Sequence, residues 1–240
     1  MPRAPRQLEA GTIYHVLNRG NGRRVLFSKH ADFEAFNQLL AQALERFDVD
    51  LLAYSLMSNH WHLLLRPRSD GALSRCMAWI AVTHARRHHK HYPNPGSGHL
   101  YQGRFKSFPV QSDGHFLIVA RYIHANPLRA GLVRHLRQWR WNDLSGAVST
   151  APWPVKRPRD WQRIVEAVLE PEHVKRLEQS LSRGTPFGSE NWIRQTAKRL
   201  GLERTMRPRG RPPKPLEALS KRQRMRRLKQ ERSEIKVTPL

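Results

Sequence analysis

Cysteine is almost absent: Cys76 is the one example in 240 residues. No disulfide can close within the chain and no multi-cysteine zinc site can form, so Cys76 reads as helix packing. Long apolar runs are missing too, with no stretch of 18 apolar residues and no apolar segment after the basic start MPRAPRQLEAG. Nothing therefore reads as a transmembrane helix, a leader or a lipid anchor. Acidic residues are scarce. The 19 Asp and Glu stand against 43 Lys and Arg, for a formal net charge of +24 and a pI near 11.5. Such an excess attracts polyanions, which places nucleic acid ahead of an anionic membrane surface as the partner. The expected location is the cytoplasm, at the nucleoid. A Walker pattern is also lacking, so Gly20-Asn21-Gly22 reads as a turn and not as a phosphate cradle.

The patterns that are present predict an α+β fold over residues 1–150. Residues 12–18 alternate as a β-strand. Phe33, Phe36, Leu40, Ala43, Leu44 and Phe47 recur at helical spacing through residues 31–47. Residues 49–57 and 60–66 read as two strands joined at Ser58-Asn59. A helix is expected from Gly71 to about His91, broken by YPNPGSGH. A fourth strand is expected over residues 103–111, made an edge strand by Pro109. Asp113 can cap a further helix to about Ala125, with Pro127 discouraging its continuation. The order is β-α-β-β-α-β, a ferredoxin-like antiparallel sheet, followed by one extra helix.

The stretch SLMSNHWHLLL, residues 55–65, sets two histidines around a tryptophan. Alternation on a strand puts His60 and His62 on one face and Trp61 on the other. Two neutral imidazoles on one face can share a divalent ion; they can equally be hydrogen-bonded structural histidines. In the extra helix, RYIHANPLRAGLV places Tyr122 and Asn126 four residues apart and so on one face. A helical tyrosine alone is packing. Beside a metal that polarises a phosphate, a phenol with an ordinary pKa of about 10 can attack a phosphodiester. Asn126 offers an amide oxygen suited to Mg²⁺ or Mn²⁺.

Taken together, Tyr14-His15-Val16 with Asn18-Arg19-Gly20, then NHWHLL, then GSGHLYQGRFKSFPVQ, then RYIHANPLRAGLV resemble the REP-associated tyrosine transposases of the HUH superfamily. The resemblance covers most of residues 12–147. It implies a single-strand DNA nuclease and transposase with His60 and His62 as ligands of a divalent metal and Tyr122 as nucleophile. Asn126 stands at the position four after the tyrosine where relatives place a polar third ligand, often Gln. The implied substrate is single-stranded DNA with a hairpin, cleaved through a 5′-phosphotyrosine, and the implied working unit is a monomer, a dimer being the other arrangement in the superfamily. A non-catalytic, transposase-derived DNA-binding protein is the alternative, and a metallohydrolase using water is a third reading.

For contacts to DNA the sequence nominates His15, Arg19, Arg104, Lys106 and Arg129. His15 reads equally well as a structural histidine, and Arg104 and Lys106 are expected to share one face of the fourth strand. The cluster THARRHHKHY reads as a basic face contacting phosphates, ahead of a metal box. Residues 151–160, APWPVKRPRD, read as a linker into a helical extension, 151–203, with helices near 160–170, 171–182 and 189–200. Residues 204–240 read as a basic, disordered tail. Within it Arg207, Arg209 and Arg211 fall in a segment like an AT-hook, a short match for which plain phosphate binding is the simpler use.

Overall fold

The computed structural model of the chain describes residues 8–93 and 98–207. Four strands, β1 (Ile13–Arg19), β2 (Val49–Met57), β3 (His60–Pro67) and β4 (Lys106–Val110), form one sheet in the order β2-β3-β1-β4. Every neighbouring pair is antiparallel. With α1 (His30–Arg46) between β1 and β2, and α2 (Ala72–His91) between β3 and β4, this is the expected ferredoxin-like order. The helix α3 (Gly114–Arg129) follows as the extra element.

The sheet is covered on both faces, which explains why β2 and β3 are apolar along nearly their whole length. On one face Val16, Leu63 and Trp61 pack with Phe36 and Leu40 of α1 and Met77 and Ile80 of α2. On the other, Leu64, Ala53 and Phe108 pack with Phe116, Val119 and Ile123 of α3. Burying each such side chain stabilises the fold by roughly 1.5–3 kcal/mol. Cys76 is buried in the first of these cores, a free thiol used for packing. Gly20, at the end of β1, leaves no room for a side chain, since a Cβ there would lie 2.1 Å from the Arg24 carbonyl oxygen.

Two expectations change. The helix α3 does not stop before Pro127 but runs to Arg129. Proline has no N–H to give the carbonyl four residues back; the side-chain amide of Asn126 reaches that Ile123 oxygen instead, at 3.4 Å. Arg104 precedes β4 and does not share a strand with Lys106, because the strand begins at Lys106.

The start of residues 151–160 is bonded to the sheet. The Ala151 N–H donates to the Leu51 carbonyl and the Trp153 indole donates to that of Leu52, at 2.7 Å. Together with the Leu56 N–H bonded to the Trp141 carbonyl, these contacts cover the β2 edge. The β4 edge is covered by Phe187, which pairs with Val110. Helices α4 (Trp161–Glu166), α5 (Pro171–Arg183), α6 (Glu190–Arg199) and α7 (Glu203–Met206) complete a compact unit that extends through Met206. No described helix is long and apolar enough to cross a membrane.

Candidate active site

The hairpin that carries the histidine pair is held at its turn. Leu26 and Phe27 donate backbone N–H groups to the Ser58 carbonyl, and Gly20 donates to that of Asn59. Trp61 points into the core beneath α1 and α2, 1% exposed, and its indole donates to the Tyr101 hydroxyl at 3.1 Å. That anchor fixes the opposite direction for His60 and His62, whose ring centroids lie 5.0 Å apart.

Hydrogen bonds constrain both imidazoles. The Asn59 side-chain oxygen lies 2.6 Å from His60 Nδ1 and can only accept, so His60 carries its proton on Nδ1 and keeps the Nε2 lone pair. His62 Nδ1 lies 2.9 Å from His15 Nε2; with the proton on His62 Nδ1, its Nε2 is likewise free to ligate. Burial, helped by the nearby Arg19 guanidinium, pushes the His60 pKa down to about 4. Burial holds His62 well below the ordinary value, reinforced by the neighbouring imidazoles and by Arg19 and Arg129. Both rings are therefore neutral at pH 7, the state a metal requires.

The helix α3 brings Tyr122 to this face. Its ring centroid lies 6.1 Å from that of His62, and the Arg129 guanidinium stands 4.8 Å over the phenol ring. Asn126, one turn on and 8% exposed, gives its amide nitrogen to Ile123, which leaves its oxygen as an acceptor. Among the described residues no three His, Cys, Asp or Glu side chains are close enough to hold a metal ion. A cation here would thus take two imidazoles and complete its shell with other oxygens: the Asn126 amide, water or a phosphate. This donor set suits Mg²⁺ or Mn²⁺ better than a closed structural zinc site. Ser55, paired across the ladder with His62, adds a buried hydroxyl with no hydrogen-bond partner among the described residues.

The cations nominated for DNA separate into groups. Arg19 is paired with His60 and Lys106 with Leu17, so both lie on the imidazole-bearing face of the sheet, with Arg129 above Tyr122. His15 does not reach the surface. It is 1% exposed, bonded to His62 and packed against Phe108, 4.9 Å between centroids. Arg104 is exposed before β4 and lines a groove on the other face. Arg207 is exposed at the end of the described residues, and Arg209 and Arg211 lie outside them. In the THARRHHKHY cluster His84 is buried, bonded to the Tyr101 hydroxyl at 2.6 Å, and not part of a basic face.

Sequence reasoning missed one group. His124, fully buried, has Nε2 at 2.7 Å from the Asp143 carboxylate and accepts the Trp161 indole N–H on Nδ1 at 3.0 Å. Asp143 also accepts the Tyr54 backbone N–H. This network ties the turn of α3 between Tyr122 and Asn126 to β2. The only sign of it in the sequence was a histidine at an apolar position of the helix.

The family described as Transposase IS200 like matches residues 10–126. Two solved structures are similar to the chain. A REP-associated tyrosine transposase bound to a REP hairpin is 18% identical, with 66% of this chain and 93% of that chain covered and a TM-score of 0.48. A putative transposase from Deinococcus radiodurans R1 is 15% identical, with 62% of this chain and all of that chain covered and a TM-score of 0.37. No curated protein matches.

Proposed function

We propose, from the match of residues 10–126 to the IS200-like transposase family, that this chain cleaves and rejoins single-stranded DNA through Tyr122. The observation that carries the reading is the 6.1 Å separation of the Tyr122 and His62 rings. The phenol ring thus lies beside the neutral His62 imidazole, in a protein of strongly positive charge. His60 and His62 would hold a divalent ion through Nε2, with the Asn126 oxygen as third protein donor. When bound, that ion supplies Lewis-acid polarisation of the scissile phosphate.

The protein's own groups do the rest. Arg19 and Lys106, on the same sheet face, hold phosphates on either side of the scissile bond. Arg129 steadies the Tyr122 ring by a cation–π contact, and the phenol proton leaves to solvent as Oη attacks. The Oη–P bond forms while the P–O3′ bond breaks, and the departing 3′ oxygen takes up a proton. The product is a 5′-phosphotyrosine with a free 3′-hydroxyl. Attack by the same or another 3′-hydroxyl reverses the step, restores the phenol and needs no ATP. The hairpin substrate and the monomeric working unit are carried over from the sequence resemblance.

The test is incubation of labelled hairpin DNA with the protein and Mn²⁺, followed by denaturing electrophoresis. Wild type yields a denaturation-resistant adduct; Tyr122→Phe yields none while binding DNA within about twofold of wild type. Alanine at His60 or His62 removes the metal-dependent cleavage. Cleavage without any adduct supports the water-using metallohydrolase instead, and binding without cleavage supports the non-catalytic reading.

A further inference from the structure

Each of the two paired imidazoles has an orienting partner, and the partners differ in kind. The Asn59 oxygen beside His60 Nδ1 can only accept, so it fixes one proton position. The partner of His62 is another ring: His15 Nε2 lies 2.9 Å from His62 Nδ1. His15 stands on β1 two residues before Leu17, which is paired with His62, so the two imidazoles share a face of the sheet. Phe108, paired with His15 from β4, packs against its ring, and only 1% of His15 is exposed. Its Nδ1 is buried with no hydrogen-bond partner among the described residues.

One shared proton allows two arrangements of this ring pair. If His15 donates, His62 keeps its proton on Nε2 and cannot ligate. If His62 donates, its Nε2 is a bare lone pair and His15 carries its own proton on Nδ1. We propose that His15 is a positioning residue for the divalent ion, accepting the His62 Nδ1 proton so that the second ligand atom stays bare; the inference rests on the metal-dependent reading above. Burial argues for this use. A polar ring in an apolar layer costs stability wherever one of its nitrogens goes unpaired. For packing alone, an aliphatic side chain between Leu64 and Phe108 would serve better, since it would leave no orphan nitrogen. The orphan Nδ1 is the atom that holds the His15 proton in the ligating arrangement, and an ion on His62 Nε2 selects that arrangement over the other. His60 needs no such selection, because the Asn59 oxygen has no proton to give.

The experiment uses the full chain without DNA and reads free Mn²⁺ by electron paramagnetic resonance, counting as site binding the part lost in His62→Ala. His15→Leu, which removes the acceptor at similar bulk, weakens that binding about 10–100-fold. His15→Gln, whose amide oxygen can stand near the position of Nε2, restores it. Hairpin affinity in EDTA stays as in wild type for both variants, a pattern that a merely structural His15 would not give. Wild type labelled with ¹⁵N-histidine supplies a readout that needs no variant: with Mg²⁺ bound, the His15 proton sits on Nδ1 and its Nε2 is an unprotonated acceptor. A proton on His15 Nε2, an unchanged Mn²⁺ affinity in His15→Leu, or a loss that His15→Gln does not rescue overturns the proposal. Adduct formation by wild type on hairpin DNA with Mn²⁺ is read in parallel. Adduct with unchanged Mn²⁺ affinity in His15→Leu sinks the role of His15 alone; no adduct, with the loss and its rescue intact, sinks the nuclease reading and leaves His15 as the residue that sets the metal ligand.

Discussion

At the scale of single residues, burial fixes the charge state of the histidines. His15 is pushed down to about 3 by burial alone. His84 is pushed to about 3 by burial first and then by the neighbouring His88 charge. In the unfolded chain each titrates near 6.5, so below that pH the unfolded state binds more protons than the folded one. Stability contributed by these two rings is complete above about pH 6.5 and is lost as pH falls towards 3. Between pH 6.5 and pH 5 each contributes a loss of about 2 kcal/mol. Denaturant midpoints should accordingly fall on acidification, and His84→Gln should flatten that dependence; an equally steep profile in the variant would refute the assignment. The alternation of His60, Trp61 and His62 was legible because pleating alone decides it. The role of His15 was not, since its burial depends on Phe108 from a strand more than 90 residues later.

At the scale of elements, the orientation of α3 decides whether Tyr122 meets the imidazoles. Its apolar side, Phe116, Val119 and Ile123, recurs at helical spacing and packs on the sheet. What pins its rotation is the His124–Asp143 pair, with side chains 0% and 2% exposed. Breaking a buried pair by removing one partner costs about 3–5 kcal/mol. His124→Ala should lower the melting temperature by roughly 10 °C. It should also reduce adduct formation more than it reduces hairpin affinity, because Tyr122 is displaced while Arg19 and Lys106 stay. Equal losses in both measurements would reduce His124 to a purely structural part. Spacing could not reveal this pair, as Asp143 lies 19 residues away on a turn with no periodic pattern. Nor could it show that Asn126 compensates for Pro127, a local repair that lets the helix continue for most of another turn.

At the scale of the whole molecule, charge governs encounter with DNA. If Arg19, Lys106 and Arg129 each neutralise one phosphate, affinity for single strands should fall with a log–log salt slope near −2 from these three alone. The Arg19→Ala, Lys106→Ala double variant should make the measured slope shallower by about 1.4 while leaving the melting temperature nearly unchanged. An unaltered slope would remove both residues from the DNA path. Short helices after residue 160 were readable from spacing and cap residues. Their attachment to the sheet was not, because the Pro-rich composition of residues 151–160 is equally that of a linker and of a strap lying on an edge.

That strap has a consequence for assembly. Leu51, Leu52 and Leu56 on one rim, and Pro109 and Val110 on the other, give hydrogen bonds or ladder pairing to chain from beyond the core. A bare rim would invite a neighbouring molecule to extend the ladder; a stoppered one refuses it. Light scattering should report single molecules both with and without hairpin DNA, and a dimer in either case would show that another face associates.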